Sequence, residues 1–183
     1  MKANQTTGRH VRRHGAAVSV LMLTTLPLFG QAANANEQAV LAAVQGFFDA
    51  LASHDVAAAE KVLMPDARAQ SVRRKDGALL VRNRAFHEDF ASWPTRKEQL
   101  LERMWAPQVN IHGSIATVWT AYDFHIDGKF SHCGVDAFDL VQQGDGWKIV
   151  NVLYTVETEA CADSPLGKPA LPQNGGAEKP AAP

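Results

Sequence analysis

Apolar residues near the start of the chain recur every three or four positions, which is the spacing of one face of a helix. The repeat predicts a helix over Glu37–Ser53. Asp55 follows it and is suited to cap a second, short helix that ends at Leu63. A later repeat, built on aromatic residues, predicts a third helix over Asn83–Ser92.

The other segments show the alternation of strands. Two short strands flank Asp76-Gly77, a dipeptide that favours a tight turn, and four longer strands follow Trp93-Pro94. Pro107 has no amide hydrogen to donate, so its strand must lie at a sheet edge or contain a bulge. The element order predicts an α+β fold, with three N-terminal helices packed on a curved antiparallel sheet. The six predicted strands are Ala67–Lys75, Ala78–Arg82, Lys97–Ile111, Ser114–Ile126, Lys129–Val141 and Trp147–Glu157.

The N-terminus has the three-part layout of a secretory signal. Basic residues come first, an apolar run follows that is shorter than the roughly 20 residues of a membrane span, and Ala33-Asn34-Ala35 provides a cleavage site. We predict a signal peptide over residues 1–35 and a periplasmic or secreted protein with no membrane span after its removal. The alternatives are an uncleaved N-terminal anchor and export by the twin-arginine route, which Arg12-Arg13 suggests.

Composition adds information mainly at the two ends of the chain. Residues 162–183 are rich in proline, glycine and alanine, so we expect a disordered tail after a folded domain over residues 36–161. The chain has 18 basic and 19 acidic residues, and four of the basic ones precede residue 36, which leaves 14 against 19. This acidic balance argues against nucleic acid as a partner. No cofactor is predicted, because Gly144 and Gly146 precede a strand and not a helix.

The hairpin around Asp127-Gly128 provides the candidate site. With a two-residue turn, Asp123 lies opposite His132 and Trp119 lies opposite Asp136, all on one sheet face. A carboxylate orients an imidazole and raises its basicity, and a second, desolvated carboxyl titrates at a different pH. Asp136, His132 and Asp123 are therefore the candidate catalytic residues. The alternative is that Asp123 and His132 only satisfy each other's hydrogen bonds within the sheet.

The face of the sheet that lines a pocket is inferred from the last strand. Trp147 alternates with Lys148, and the lysine should face water, so the tryptophan face is assigned to the helix side. A single bulge would reverse this assignment, because it moves later side chains to the other face. The acids and histidines of the hairpin lack a recognised ligand spacing, so no metal is predicted. The candidate ligand-binding residues are Trp119, Asn151, Phe138, Trp147 and Trp105.

The opposite sheet face is also apolar. It carries Val118, Tyr122, Phe124 and Val135 under this assignment. An apolar face of this kind suits a second copy of the chain, so we expect a homodimer.

The two cysteines are expected to pair. In an oxidising compartment cysteines form disulfides, and the predicted register places Cys133 opposite about residue 156, a few residues before Cys161. A chain that curls back at the strand end joins them. A straight continuation leaves two free thiols, which is the alternative.

Several short motifs stand out: Ala116-Thr117-Val118-Trp119, Tyr122-Asp123-Phe124, Gly128-Lys129-Phe130-Ser131-His132-Cys133-Gly134, Phe138 and Gly146-Trp147-Lys148-Ile149. Together they resemble the nuclear transport factor 2-like superfamily, also called SnoaL-like, in its exported branch labelled "putative lumazine-binding". The resemblance covers about residues 37–160. It implies a cone-shaped fold with a pocket between sheet and helices, often dimeric through the sheet, and it implies no single activity.

Three functional hypotheses follow from these observations. The first is an exported module that binds a small, partly aromatic molecule in an apolar pocket with a few polar groups. The second is a general acid–base enzyme of the isomerase, dehydratase or cyclase type that uses an Asp/His pair. The third is a dimeric interaction protein whose pocket is vestigial. The first is preferred, because the chain lacks a complete nucleophile–base set.

Overall fold

The computed structural model describes residue 1, residues 28–144 and residues 146–169. Most of the predicted signal peptide and the last 14 residues of the predicted tail lie outside the described residues. The first helix begins at Leu28, before the predicted cleavage site, and not at Glu37 as predicted. Residues 162–169, the described part of the predicted tail, form no helix or strand.

Helices precede most of the sheet. Helix α1 is Leu28–Ser53, α2 is Val56–Val62 and α3 is Phe86–Phe90, and a single 3-10 turn follows over Trp93–Thr95. Asp55 caps α2 as predicted, because its carboxylate accepts a hydrogen bond from the Ala58 amide at 3.0 Å. The third helix is shorter than predicted, since the residues before it continue the preceding strand.

The six strands form one sheet. Its order is β2-β1-β6-β5-β4-β3, and the α+β class is confirmed. The prediction of a purely antiparallel sheet is wrong, because β1 runs parallel to β6. The strands are β1 Leu63–Lys75, β2 Ala78–Ala85, β3 Leu100–His112, β4 Ile115–Ile126, β5 Lys129–Gln143 and β6 Gly146–Thr155.

Helix α1 covers one face of this sheet, which we call the inner face. Val40 and Val44 are fully buried, and the Phe48 ring packs edge-on against Phe138 of β5, with ring centroids 5.9 Å apart. Ile149 of β6 completes this part of the core. The helical repeat of apolar residues is therefore explained by burial against the sheet.

The tight turns follow from their sequences. Asp127 and Gly128 have φ angles of 50° and 72°, a left-handed pair of conformations that aspartate and glycine tolerate best. Pro107 lies where β3 slips register against β4, between Trp105 and Gln108, and β3 is an edge strand. Pro107 therefore lies both on an edge strand and at a bulge, the two settings that the sequence analysis allowed for it.

Two one-residue bulges decide which side chains face the helices. Ser131 is unpaired between β4 and β5, and Val150 is unpaired between β5 and β6. Each bulge shifts the pairing by one residue and so moves the later side chains of a strand to the other face. Asp123 therefore lies opposite Cys133, and His132 lies opposite Phe124, in contrast to the predicted register.

The end of the sheet is closed by a disulfide. Glu157 exchanges two backbone hydrogen bonds with Cys133, one residue beyond the predicted partner position. The chain then curls back and Cys161 forms a disulfide with Cys133, with Cα atoms 6.0 Å apart. This is the pairing that the sequence analysis expected. Within the described residues, no helix is both long enough and apolar enough to cross a membrane.

Candidate functional site

A cavity of about 470 Å3 lies between the inner sheet face, α1, α3 and the β1–β2 hairpin. We call it the inner cavity. Its volume falls in the range of small-molecule sites. Its apolar wall includes Phe47, Leu51, Phe86, Trp93, Leu100, Phe124 and Phe138. Its polar groups include Arg84, Asp89, Glu102, His132, Asp136 and Tyr154.

Two carboxyl groups meet in the inner cavity. Asp136 of β5 is 1% exposed, and its side chain is within hydrogen-bonding reach of Glu102 on β3. Burial raises the pKa of Asp136 well above its usual range, and the neighbouring Glu102 raises it further. Burial also raises the pKa of Glu102, to about 8, although its hydrogen bond with Asp136 works in the opposite direction. The pair therefore holds at least one proton at neutral pH.

One atom of this pair has an unmet hydrogen bond. Asp136 Oδ2 is buried and has no donor among the described residues. A protonated Oδ2 would instead act as the donor. Asp136 is thus suited to give a hydrogen bond or a proton, and Glu102 is suited to accept one.

His132 lies beside the carboxyl pair in the wall of the inner cavity. Its ring stacks on Phe124 with centroids 4.9 Å apart, and Nδ1 lies 3.0 Å from the Ser131 hydroxyl oxygen. Burial lowers the pKa of this histidine. The imidazole is therefore neutral at pH 7 and able to either donate or accept one hydrogen bond.

Arg84 of β2 brings a cation into the same cavity. Its Nε donates to the Asp89 carboxylate, and its Nη1 donates to the Tyr154 hydroxyl at 2.9 Å. The guanidinium is half-buried and its charge is balanced by Asp89. Arg84 also favours the ionised form of Glu102 across the cavity.

The Gly134 position explains the glycine of the Ser-His-Cys-Gly motif. A Cβ atom at Gly134 would lie 2.3 Å from the Thr155 carbonyl oxygen and 2.9 Å from the Tyr122 ring. Without it, the buried Tyr122 ring crosses β5, and its hydroxyl donates to that carbonyl at 2.6 Å. This hydrogen bond joins β4 to the last residue of β6 across Gly134, which lies between His132 and Asp136 on β5.

A second polar cluster lies on the opposite, outer sheet face. We call Arg103, Asp123 and His125 the outer cluster. Arg103 binds both Asp123 oxygens, at 2.8 and 2.6 Å, and His125 Nε2 lies 3.2 Å from Asp123 Oδ1. Burial alone would raise the pKa of Asp123, but the hydrogen bonds of Arg103 and Ser164 more than offset it and lower the pKa. A second cavity beside this cluster is lined by residues of the segment 161–169.

The predicted catalytic residues are divided between the two faces. Asp136 and His132 line the inner cavity, but Asp123 does not, because the bulge at Ser131 turns it to the outer face. The predicted Asp123–His132 pair is therefore wrong. The partners of Asp123 are Arg103 and His125.

The predicted ligand-binding residues are divided in the same way. Phe138 lines the inner cavity, and Trp147 is buried in the core but is not part of the cavity wall. Trp119 is 55% exposed on the outer face. Asn151 donates to Asp139 at 3.3 Å on that face, and Trp105, which pairs with Ala121, also lies there. Placing Trp119, Asn151 and Trp105 in the pocket was wrong, since bulges and register reverse the faces of their strands.

Sequence reasoning missed Glu102 and Tyr154. Glu102 had a detectable signal, because it interrupts an apolar alternation between Leu100 and Met104. An acid in such a row is desolvated once the strand is covered. Tyr154 carries no comparable signal, since its inward direction follows from the bulge at Val150.

The described residues include no cluster of three or more histidine, cysteine, aspartate or glutamate side chains arranged to hold a metal ion. The carboxyl pair, His132 and the aromatic wall of the inner cavity offer hydrogen bonding, proton transfer and contact with an apolar surface.

The fold is shared with several solved structures. The β subunit of a "putative aromatic-ring-hydroxylating dioxygenase" from Novosphingobium aromaticivorans is 10% identical, with a TM-score of 0.59 over 72% of this chain and 95% of that chain. A "putative dehydratase from the NTF2-like family" of Streptomyces avermitilis is 17% identical, with a TM-score of 0.52 over 68% and 97%. The association domain of C. elegans CaMKII is 16% identical, with a TM-score of 0.52 over 68% and 98%. At these identities the likeness defines the fold only.

The chain therefore shares its fold with the S. avermitilis protein, which is described as NTF2-like. A family model described as "Putative lumazine-binding" matches residues 35–155, and the chain belongs to that family. The resemblance to the family labelled "putative lumazine-binding" is confirmed. No curated protein matches this chain.

Proposed function

We propose that the chain is an exported module that binds a small, flat, partly aromatic molecule in the inner cavity. The observation that carries the proposal is the cavity itself, about 470 Å3 in volume, with aromatic walls and the carboxyl pair within it. The free Asp136 Oδ2 is able to orient a ligand that carries a hydrogen-bond acceptor. The family description, "Putative lumazine-binding", supports a planar heteroaromatic ligand.

The test uses N-phenyl-1-naphthylamine, a neutral dye whose fluorescence rises in apolar sites. We expect saturable binding of one dye per chain. Ser71 of β1 lines the cavity, so Ser71→Phe should fill it and weaken binding at least about tenfold, which corresponds to ~1.4 kcal/mol. Thr117→Phe, at an exposed position of β4, is the matched control and should leave binding unchanged. Equal binding by both variants would contradict the proposal.

General acid–base catalysis is the second candidate, and the carboxyl pair favours it. A raised pKa near working pH is what a proton-transferring group requires, and Glu102 and Asp136 provide an acceptor and a donor side by side. Asp136 and His132 remain the candidates named from sequence, and Glu102 replaces Asp123. The S. avermitilis relative described as a "putative dehydratase" has the same fold.

Exchange of the α-protons of 2-tetralone in heavy water tests this second function. NMR should show faster exchange with the wild-type protein than with Asp136→Asn or Glu102→Gln. His132→Ala tests whether the imidazole takes part. Identical exchange rates with all variants, together with retained dye binding, would leave binding as the function and refute catalysis on ring ketones.

Export and dimerisation are part of the same proposal. The Cys133–Cys161 disulfide supports an oxidising compartment. Of the four residues first assigned to a dimer face, Val118, Tyr122 and Phe124 lie on the inner side, so that basis is withdrawn. Val135 stays on the outer face, opposite Ala121. The outer face instead exposes Ile115, Trp119 and Leu153.

These residues suit a second copy of the chain, because Trp119, Ala137 and Leu153 are aligned across three neighbouring strands. Light scattering should give a dimer mass for the wild type and a monomer mass for Trp119→Glu. A monomeric wild type at micromolar concentration would refute the dimer. Intact mass of the exported protein should begin at Asn36 if the signal is cleaved as predicted.

A further inference from the structure

We propose that the ligand of the inner cavity is an organic anion, a ring-bearing acid whose charged group binds Arg73 and Arg82 at the rim while its ring enters the cavity. The inference rests on the proposed binding function and names the ligand class. Its basis is the arrangement of positive charge on the β1–β2 hairpin, together with the protonation of Glu102 and Asp136 in the inner cavity.

Strand register places the hairpin cations on one face. Arg82 lies opposite Ser71, and Arg73 lies opposite Leu80, and all four residues line the inner cavity. Arg84, two residues after Arg82, is on the same face. Three guanidinium groups therefore border one side of the cavity.

The three arginines differ in what they bind. Arg84 is engaged by Asp89 and Tyr154. Arg73 and Arg82 are exposed, and neither makes an ion pair or side-chain hydrogen bond with any described residue. Arg96, which also borders the cavity, lies 3.5 Å from Glu98. The rim thus has two cations that are free to bind an external anion, and a guanidinium is well shaped for a carboxylate or sulfonate.

The acids in the inner cavity do not cancel this positive charge. Asp89 is committed to Arg84. Burial raises the pKa of both Glu102 and Asp136, so the pair carries at most one negative charge at neutral pH. A ligand whose negative end stays at the rim and whose ring is inserted inward meets cations first, then Phe124, Trp93 and the proton of the carboxyl pair.

Edge protection is another role for exposed arginines, since β2 is the first strand of the sheet and free edges invite pairing. That role does not depend on which face carries the charge. Arg74, adjacent to Arg73, points to the other face and is absent from the cavity wall. Arg74 is therefore the matched control, because it has the same side chain on the same strand.

The test compares two dyes that differ by one charged group. 1-Anilinonaphthalene-8-sulfonate carries a sulfonate, and N-phenyl-1-naphthylamine has the same ring system without it. We expect the wild type to bind the sulfonate dye at least about tenfold more tightly, ~1.4 kcal/mol, and this preference should weaken with added salt. Arg73→Gln/Arg82→Gln should weaken binding of the sulfonate dye and so abolish the preference, and Arg74→Gln, off the cavity wall, should leave the binding of both dyes unchanged.

Three outcomes would overturn the anion inference, and one of them would also overturn the proposed binding function. Equal affinity of the wild type for both dyes, with neutral-dye binding still blocked by Ser71→Phe, overturns the anion inference and leaves the binding function standing. A sulfonate preference that survives the double substitution also overturns it, because the anion would then be held elsewhere. If neither dye binds in the cavity of the wild type, both the binding function and the inference fail.

Discussion

Adjacent residues of β3 face two different electrostatic environments. Glu102 points to the inner cavity and meets a second acid, Asp136, whereas Arg103 points outward and binds both oxygens of Asp123. Burial by itself raises the pKa of both Asp136 and Asp123. The pKa of Asp136 is raised, but that of Asp123 is lowered, because only Asp123 has a cation and a hydroxyl as partners.

This contrast separates a structural cluster from a functional candidate. In the outer cluster, the Asp123 charge is compensated by groups of the protein itself. In the inner cavity, one oxygen of the buried Asp136, Oδ2, has no hydrogen-bond partner among the described residues, and Asp136 borders open volume. Folding alone does not favour such an arrangement. The proposed ligand would supply the missing hydrogen-bond partner of Asp136 Oδ2.

The largest expected effect comes from breaking the outer cluster. Arg103→Met leaves Asp123, 3% exposed, without its cation, and should lower the free energy of unfolding by about 3–5 kcal/mol. Adding Asp123→Leu should recover most of the loss, because the unpaired charge is gone. Chemical denaturation of both variants measures this. A loss below ~1 kcal/mol for the single variant would show that the ion pair contributes little.

Sequence alone predicted the turns and the disulfide but not the faces of the strands. Asp127-Gly128 predicts its turn because few other residues readily adopt positive φ angles. The bulge at Ser131 leaves no comparable signal. Both faces of β4 are largely apolar, so the alternation fits either assignment until the pairing is known. Asp136 and Phe138 were placed correctly, since they come after the bulge on a strand whose facing was set independently.

Opening the disulfide should have the next largest effect. The bond joins residues separated by 28 positions, so Cys161→Ser should cost about 3 kcal/mol through the loop entropy of the unfolded chain. Segment 161–169 should then leave the outer cluster, and hydrogen exchange should rise at the amides near Asp123. Binding of the neutral dye to the inner cavity should change less than about twofold, ~0.4 kcal/mol. A large loss of dye binding would show that the two regions are coupled.

Asp136→Asn is expected to raise the free energy of unfolding, which is a smaller effect than the losses above and of opposite sign. An acid whose pKa is raised on folding holds a proton in the native state that the unfolded chain has released. Its contribution to stability therefore falls as pH rises from the ordinary carboxyl pKa towards the folded pKa. Asparagine has no such cost and donates a hydrogen bond to Glu102.

Thermal unfolding at two pH values checks this prediction. Asp136→Asn should be more stable than the wild type by about 1–3 kcal/mol at pH 8, and the gain should disappear at about pH 2.5, well below the ordinary aspartate pKa of about 3.9, where the wild-type acid is protonated in both states. Asp139→Asn, at an exposed position of the same strand, is the control and should stay within about 0.5 kcal/mol. A destabilised Asp136→Asn at pH 8 would contradict the raised pKa.

The smallest effect concerns Ser164, which contributes to the lowered pKa of Asp123. An acid of lowered pKa stabilises the fold above its unfolded pKa, and this contribution is lost as pH falls through the folded pKa. Ser164→Ala removes one donor, so the folded pKa of Asp123 should rise towards its usual value and acid unfolding should begin at a higher pH. The loss at pH 7 should be under about 1 kcal/mol, because Arg103 remains bound. If the pH at which acid unfolding begins is unchanged, Arg103 alone lowers the pKa of Asp123. The outer cluster would then be stabilised by one ion pair rather than by the segment 161–169.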